Sequence, residues 1–232
     1  AAHGASVDIT TAPRSTGSIL KPFLFALALQ DGLLLPGSWL PDVPLNINGY
    51  RPENFDHGYD GLVGAGEALS RSLNVPFVEL LRRYDIARFH RQLGKLGLRT
   101  LNQGPSHYGL SLILGGAEAS LWDITGMYSS MARTLTRFTQ HNSRYSPADW
   151  HPLQWAAAVP YEASGEEQRD APLLSAGAIW ATFNAMQEVR RPNSEGEWER
   201  FAGSRRVAWK TGTSFGFRDA WAVGLTPEYA VG

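Results

Sequence analysis

The chain has 232 residues, enough for one large domain or two small ones around a buried core, and its 43% hydrophobic and 19% charged composition is that of a globular protein rather than a disordered one. A formal net charge of −1 with no long basic stripe argues against a nucleic-acid partner. The absence of cysteine excludes disulfides, thiolate metal sites and a cysteine nucleophile, and the six histidines (His3, His57, His90, His107, His141, His151) include no HExxH-type pair, so no metal or other cofactor is expected.

Residues 6–12 (SVDITTA) alternate loosely and predict a short strand, followed by a loop at 13–17 (PRSTG). From Ser18 to Asp31 the apolar spacing is helical, Pro22 is tolerated in the first turn, and Gly32 is a natural stop. The most apolar stretch runs from Ile19 to Leu35, but Lys21, Gln30 and Asp31 interrupt it, and a membrane span needs about 20 mostly apolar residues. No signal peptide opens the chain, so any anchor or export signal of a parent protein is expected outside it. Residues 36–64 are rich in Pro, Gly, Asn and Asp and predict an ordered surface loop, packed down by its Tyr, Phe and Leu side chains.

Residues 65–100 predict short consecutive helices, and 117–135 and 173–189 predict two more, with a polar, irregular stretch at 136–172 between them. From 205 onward RRVAWKTGT, DAWAVGLT and EYAVG read as strands separated by turn residues. A strand, many helices and then strands make an α+β domain with a helical part inserted into a sheet. EYAVG begins a strand with nothing after it, and the opening strand is equally bare, so the fold is expected to be truncated at both ends.

Lysine occurs only at Lys21, Lys95 and Lys210, although Lys and Arg together number 21. Codon bias accounts for such a skew, but not for where two of the three fall. Arginine cannot readily lose its proton, whereas a desolvated lysine can. In SILK, Ser18 and Lys21 stand at i and i+3, one turn apart on the same face of a helix. A serine hydroxyl needs a base, and a lysine amine serves as one when burial or a neighbouring cation lowers its pKa. Ser18 would also open the helix, where free N–H groups and the dipole favour negative charge. In SLN, Ser72 could relay a proton and Asn74 could hold a peptide amide. In KTGT, Gly212 would let a substrate backbone approach, and Lys210, Thr211 and Thr213 offer a cation and two hydroxyls to a carboxylate. The N–H groups of Ser18 and Thr213 could together form an oxyanion hole. Taken singly, these are also a helix cap with a solvated lysine, a polar helix end and a turn between strands. Together and in this order they are far more specific.

The stretches RSTGSILKPF, EALSRSLNVPFVELL, HYGLSLILGGAEASLWDI and AWKTGTSFGFRDAWAVG resemble the transpeptidase domain of class A penicillin-binding proteins, above all their 1C subgroup. The resemblance covers nearly the whole chain and is weakest over 136–204. It implies an α+β fold of the serine β-lactamase/transpeptidase type: an antiparallel sheet flanked by helices, with a helical subdomain at roughly 33–204, in a single partial domain over 1–232. It implies that the donor stem peptide of peptidoglycan acylates Ser18 with loss of its terminal D-alanine, and that β-lactams acylate the same serine. Lys21 would be the general base, with Ser72 and Asn74 completing the relay and positioning substrate. Lys210, Thr211 and Thr213 would bind the terminal carboxylate. A membrane-anchored parent with a glycosyltransferase domain, at the periplasmic face of a bacterial inner membrane, is also implied; neither anchor nor glycosyltransferase has a counterpart in this chain.

Two other readings share the motifs. A serine β-lactamase needs a device that activates a deacylating water, and Glu118, Glu162, Glu166 and Glu167 stand between the second and third motifs without resembling the class A loop. A β-lactam-sensing or purely structural penicillin-binding domain would keep the acylating residues and lack transfer.

Overall fold

A computed structural model of the chain describes residues 8–155, 172–188 and 206–232. Glu162, Glu166 and Glu167 lie outside these residues, as does the 156–171 part of the 136–172 stretch.

The strand expected at 6–12 does not form over 8–12, and residues 6 and 7 lie outside the described residues. Among the described residues of that segment, Thr10 N–H donates to the Asp8 carboxylate and Ala12 N–H to the Ile9 carbonyl, a turn rather than a strand. Strand β1 is instead Arg14–Ser15, within the expected loop, and it pairs antiparallel with β4 (Glu118–Ala119). Asp8 and Thr10 are turn formers, and their side-chain competition for backbone N–H groups overrides the loose alternation.

Helix α1 (Lys21–Gln30) is the hub. Residues Lys21 to Ala28 are all buried, so the helix is apolar on every face, as a helix at the centre of a core must be. Phe23, Leu24 and Leu27 are fully buried, each contributing roughly 1.5–3 kcal/mol relative to exposure. The helix begins three residues later than expected. Gly17 and Ser18 belong to a preceding tight turn in which Ile19 N–H donates to Thr16 O and Lys21 N–H to Ser18 O. Ser18 and Lys21 are therefore joined by a tighter i→i+3 turn, with Pro22 in the first helical turn and Gly32 (φ +72°) ending the run.

The 36–64 segment is more regular than an ordered loop. Strands β2 (Trp39–Asp42) and β3 (Gly61–Gly64) pair antiparallel across it. Helices α2 (Ala65–Ser70), α3 (Asn74–Tyr84) and α4 (Ile86–Lys95) follow consecutively. After α5 (Pro105–Tyr108) comes α6 (Leu121–Gln140), capped by Ser120, which accepts from Asp123 N–H. α6 runs five residues past the expected end at 135. Its polar last turns are held by Arg137, whose Nε donates to Asp149 at 2.7 Å. Helix α7 (Ala176–Gln187) packs on α1, α2 and α6.

The C-terminal sheet is antiparallel in the order β5 (Ala208–Thr213), β6 (Ala220–Leu225), β7 (Ala230–Val231). Ala208, Trp221, Val223 and Leu225 are buried on the side of α6 and α7, while Thr211, Thr213, Ala220 and Ala222 are exposed on the other. The molecule is thus an α+β fold of antiparallel strands and flanking helices.

Candidate active site

The turn holding Ser18 is pinned from four sides. Thr16 N–H and hydroxyl both reach the carbonyl of Ala117, beside β4. The Tyr128 hydroxyl on α6 donates to Ile19 O at 2.8 Å, and Trp221 Nε1 on β6 donates to Ser15 O at 2.7 Å. The fourth contact is backbone against backbone. A Cβ on Gly17 (φ +50°) would lie 2.6 Å from Thr213 N, and one on Gly212 would lie 2.7 Å from Thr16 O. Only glycine permits this approach at either position. The end of β5 carrying Thr213 therefore lies against the residue preceding Ser18.

Lys21 points from the first turn of α1 into a closed environment and is 0% exposed. Its Nζ donates to Ser72 O at 2.7 Å and to Asn74 Oδ1 at 2.8 Å, and stands 5.6 Å from the centre of the Phe77 ring. Ser72 lies between α2 and α3 with φ +60°, a conformation uncommon for a residue with a side chain. That bend turns its carbonyl to Lys21 while its hydroxyl accepts from Lys210 Nζ at 2.7 Å. Ser72 is thus held between two lysines. Asn74 opens α3, with its side chain shared between Lys21 and the carbonyl of Glu53.

Lys210 is 2% exposed, and its remaining contact is the carbonyl of Thr211 at 2.7 Å. Neither lysine has a carboxylate partner among the described residues. Burial, and then the charge of Lys210, push the Lys21 amine well below the usual lysine range. Burial alone brings Lys210 down to about 7. Two ammonium groups without counter-ions are costly to keep in one dry site, so loss of a proton is the cheaper state.

The structure brings together Lys21, Ser72, Asn74 and Lys210 by direct hydrogen bonds, and Ser18 with Thr213 through the Gly17 contact. Ser18 is half-buried, and its hydroxyl makes no hydrogen bond to a described residue, Lys21 included. Strand alternation separates Thr211 and Thr213, which are exposed, from Lys210 and Gly212, which face inward. No group of metal-ligating side chains occurs among the described residues.

Three contributors carry no motif signal. Tyr128 is fully buried and fixes the Ser18 turn from a helix 110 residues downstream. Asp42, at the end of β2, and Asn54, between β2 and β3, are buried and bond to each other at 2.7 Å, and Asn54 reaches the start of α3. Cavities of about 410 and 370 Å³ open between α6, α7 and the β6–β7 turn; none of the residues above lines them.

Residues 5–230 match the family model described as the penicillin binding protein transpeptidase domain. Penicillin-binding protein 1C of Escherichia coli strain K12 is 40% identical over 226 residues, 97% of this chain and 26% of that protein. Penicillin-binding protein 1B of Vibrio cholerae is 30% identical over 224 residues, 94% of this chain and 27% of that protein. Among solved structures, the penicillin-binding protein PonA1 from Mycobacterium tuberculosis superposes with a TM-score of 0.70 at 23% identity, over 97% of this chain and 60% of that one. The complex of PonA1 with penicillin V gives a TM-score of 0.67 at 20% identity, over 97% and 61%. The chain spans about a quarter of the length of the curated relatives it matches.

Proposed function

The chain belongs to the penicillin-binding protein transpeptidase domain family, and on that premise we propose that it is a serine D,D-transpeptidase acting on peptidoglycan stem peptides and acylated at the same serine by β-lactams. The observation that carries this reading is the pair of buried, carboxylate-free lysines on either side of Ser72, with Ser18 one tight turn from Lys21.

Lys21, as the free amine, takes the proton of the Ser18 hydroxyl as Oγ attacks the carbonyl of the penultimate D-alanine. The oxyanion of the tetrahedral intermediate meets the N–H groups of Ser18 and Thr213. The C–N bond then breaks, and the proton reaches the leaving amine through Ser72, whose hydroxyl Lys210 orients. D-alanine departs. An amine of a second stem peptide attacks the ester and restores the serine. Asn74 holds the donor peptide, and Lys210, Thr211 and Thr213 receive its terminal carboxylate, with the two threonines on the exposed strand face meeting substrate from solvent. In a β-lactam the leaving nitrogen stays tethered, so the acyl-enzyme persists.

The chain as a whole, residues 1–232, forms one transpeptidase domain with a helical subdomain over roughly 33–204. Its setting is the periplasmic face of a bacterial inner membrane, in a parent protein carrying an anchor and a glycosyltransferase domain. No described helix of this chain is long and apolar enough to cross a membrane. The deciding experiment is intact-protein mass spectrometry after incubation with benzylpenicillin, followed by peptide mapping. A stable adduct on Ser18 is expected. Sustained turnover of a chromogenic cephalosporin would mean a β-lactamase instead, and acylation without peptide transfer by the parent would mean a sensor.

A further inference from the structure

Asn54 lies outside the three motifs, yet it is 2% exposed and its carboxamide is fully used. Its Oδ1 accepts from the N–H groups of Asn74 (2.9 Å) and Val75 (3.1 Å), the first two residues of α3. Its Nδ2 donates to Asp42 Oδ1 (2.7 Å) and to the Gly58 carbonyl (2.9 Å). Helix α3 has no side-chain cap of its own, because the side chain of Leu73 at its N-cap has no hydrogen-bond acceptor. Asn54 supplies that cap from twenty residues upstream. The adjoining Glu53 carbonyl accepts from Asn74 Nδ2 at 2.9 Å, which leaves Asn74 Oδ1 facing Lys21 Nζ at 2.8 Å. An unbroken run of hydrogen bonds thus leads from buried Asp42 through Asn54 and Asn74 to the amine of Lys21.

We infer that Asn54 is a positioning residue for acylation: it fixes Asn74, and through Asn74 the Lys21 amine, against the Ser18 turn. This rests on the transpeptidase reading above. A cap that served only the fold would affect stability and leave the chemistry of Lys21 alone. The surroundings of Lys21 make the two cases separable. Lys210 faces it from β5, and Ser72, Asn74 and Phe77 from the α2–α3 region. The carboxylates of the 36–64 segment turn elsewhere: Asp42 to Asn54 and Asp60 N–H, Glu53 to His57, Asp56 to Gly58 N–H, and Asp60 to Arg71. The acceptors that favour the ammonium form of Lys21 are therefore the neutral oxygens of Asn74 and Ser72. Loosening them lets Lys21 lose its proton at lower pH, and bringing a formal negative charge onto the group that holds Asn74 does the reverse.

The test measures the rate of Ser18 acylation by benzylpenicillin against pH, with thermal melts to correct for folded fraction. Asn54→Ala is expected to acylate about 10- to 100-fold more slowly on the plateau, the range expected for a sub-ångström to ångström misplacement, with the acid limb moved to lower pH. The paired exchange Asp42→Asn, Asn54→Asp keeps an acceptor for the Asn74 and Val75 N–H groups and a donor toward it. That variant is expected to acylate faster than Asn54→Ala, with the acid limb above that of the unaltered chain. A wild-type rate and limb in Asn54→Ala would overturn the inference while leaving the transpeptidase reading intact. If Asn54→Ala fails to fold, an unmoved limb in the exchange variant would overturn it equally. An unaltered, folded chain that is never acylated on Ser18 would overturn the transpeptidase reading, and this inference with it.

Discussion

Helices α1 and α4 are each ten residues long and each carries a lysine, yet they share little else. In α1 every residue from Lys21 to Ala28 is buried; in α4 only Phe89 and Leu93 are. Lys95, in the last turn of α4, is exposed and sits where the helix dipole welcomes a cation. Lys21, in the first turn of α1, stands at the end where a cation is disfavoured, away from water and near a second lysine. The same amine is a solvated surface charge in one helix and a candidate base in the other. Depth and neighbours decide this, not residue type. The two helices are also linked: Asp31, closing α1, accepts from the Tyr84 hydroxyl at 2.7 Å and pairs with Arg88 of α4 at 2.8 Å.

The sharpest way to break the contrast is to remove the hydroxyl of Ser18, the proposed nucleophile, which lies in the turn before α1. Ser18→Ala is expected to abolish covalent labelling by benzylpenicillin while leaving the circular-dichroism spectrum unchanged; retained labelling would place the nucleophile elsewhere. Next in size, Lys21→Ala should slow acylation by roughly 10²–10⁴, the usual worth of a positioned general base, as read by stopped-flow with a fluorescent penicillin. An unchanged rate would point to another base. Leu24→Ala, in the same buried helix, should cost about 2–5 kcal/mol in chemical denaturation because the cavity cannot reach solvent. A smaller effect tests the charge state of the site. The folded pKa of Lys210, about 7, lies below its unfolded value of 10.5, so between these pH values the unfolded chain binds the extra proton. Stability from this group is lost as pH falls through about 7 and rises toward pH 10. Thermal melts across that window should rise more steeply for the unaltered chain than for Lys210→Met. The smallest effect belongs to α4: Lys95→Ala should change stability by less than about 0.5 kcal/mol and leave the acylation rate untouched, and a slowed rate there would dissolve the contrast.

Much of this was legible from local pattern. The apolar spacing after Ser18 marked α1 and the β-rich tail marked β5 and β6, whereas Ser18 itself stands in the turn before α1 rather than on a face of the helix. What escaped has a common physical cause. Strands β2 and β3 pair across an intervening stretch of Pro, Gly and Asp, and Pro41 lies within β2, so neither local propensity nor periodicity reveals them. Asn54 reads as one more loop residue, because its partners lie 12 and 20 residues away on unrelated elements. Tyr128 is one aromatic among several on an amphipathic helix, and its bond to Ile19 spans 109 residues. At the N-terminus, loose alternation was outweighed by the Asp8 and Thr10 turn, and the true strand fell on two residues too short to show a period.

The seam between Gly17 and Gly212 carries a consequence for how such a site tolerates change. Ser18 takes its registry from main-chain atoms of β5, and the side chains of Thr211 and Thr213 stand clear of that contact. The strand can therefore alter the chemistry it presents to a ligand without shifting Ser18. A side chain at either glycine would force the two walls apart. Substitutions that change which ligand is accepted have room on the open face, and the two glycines leave none.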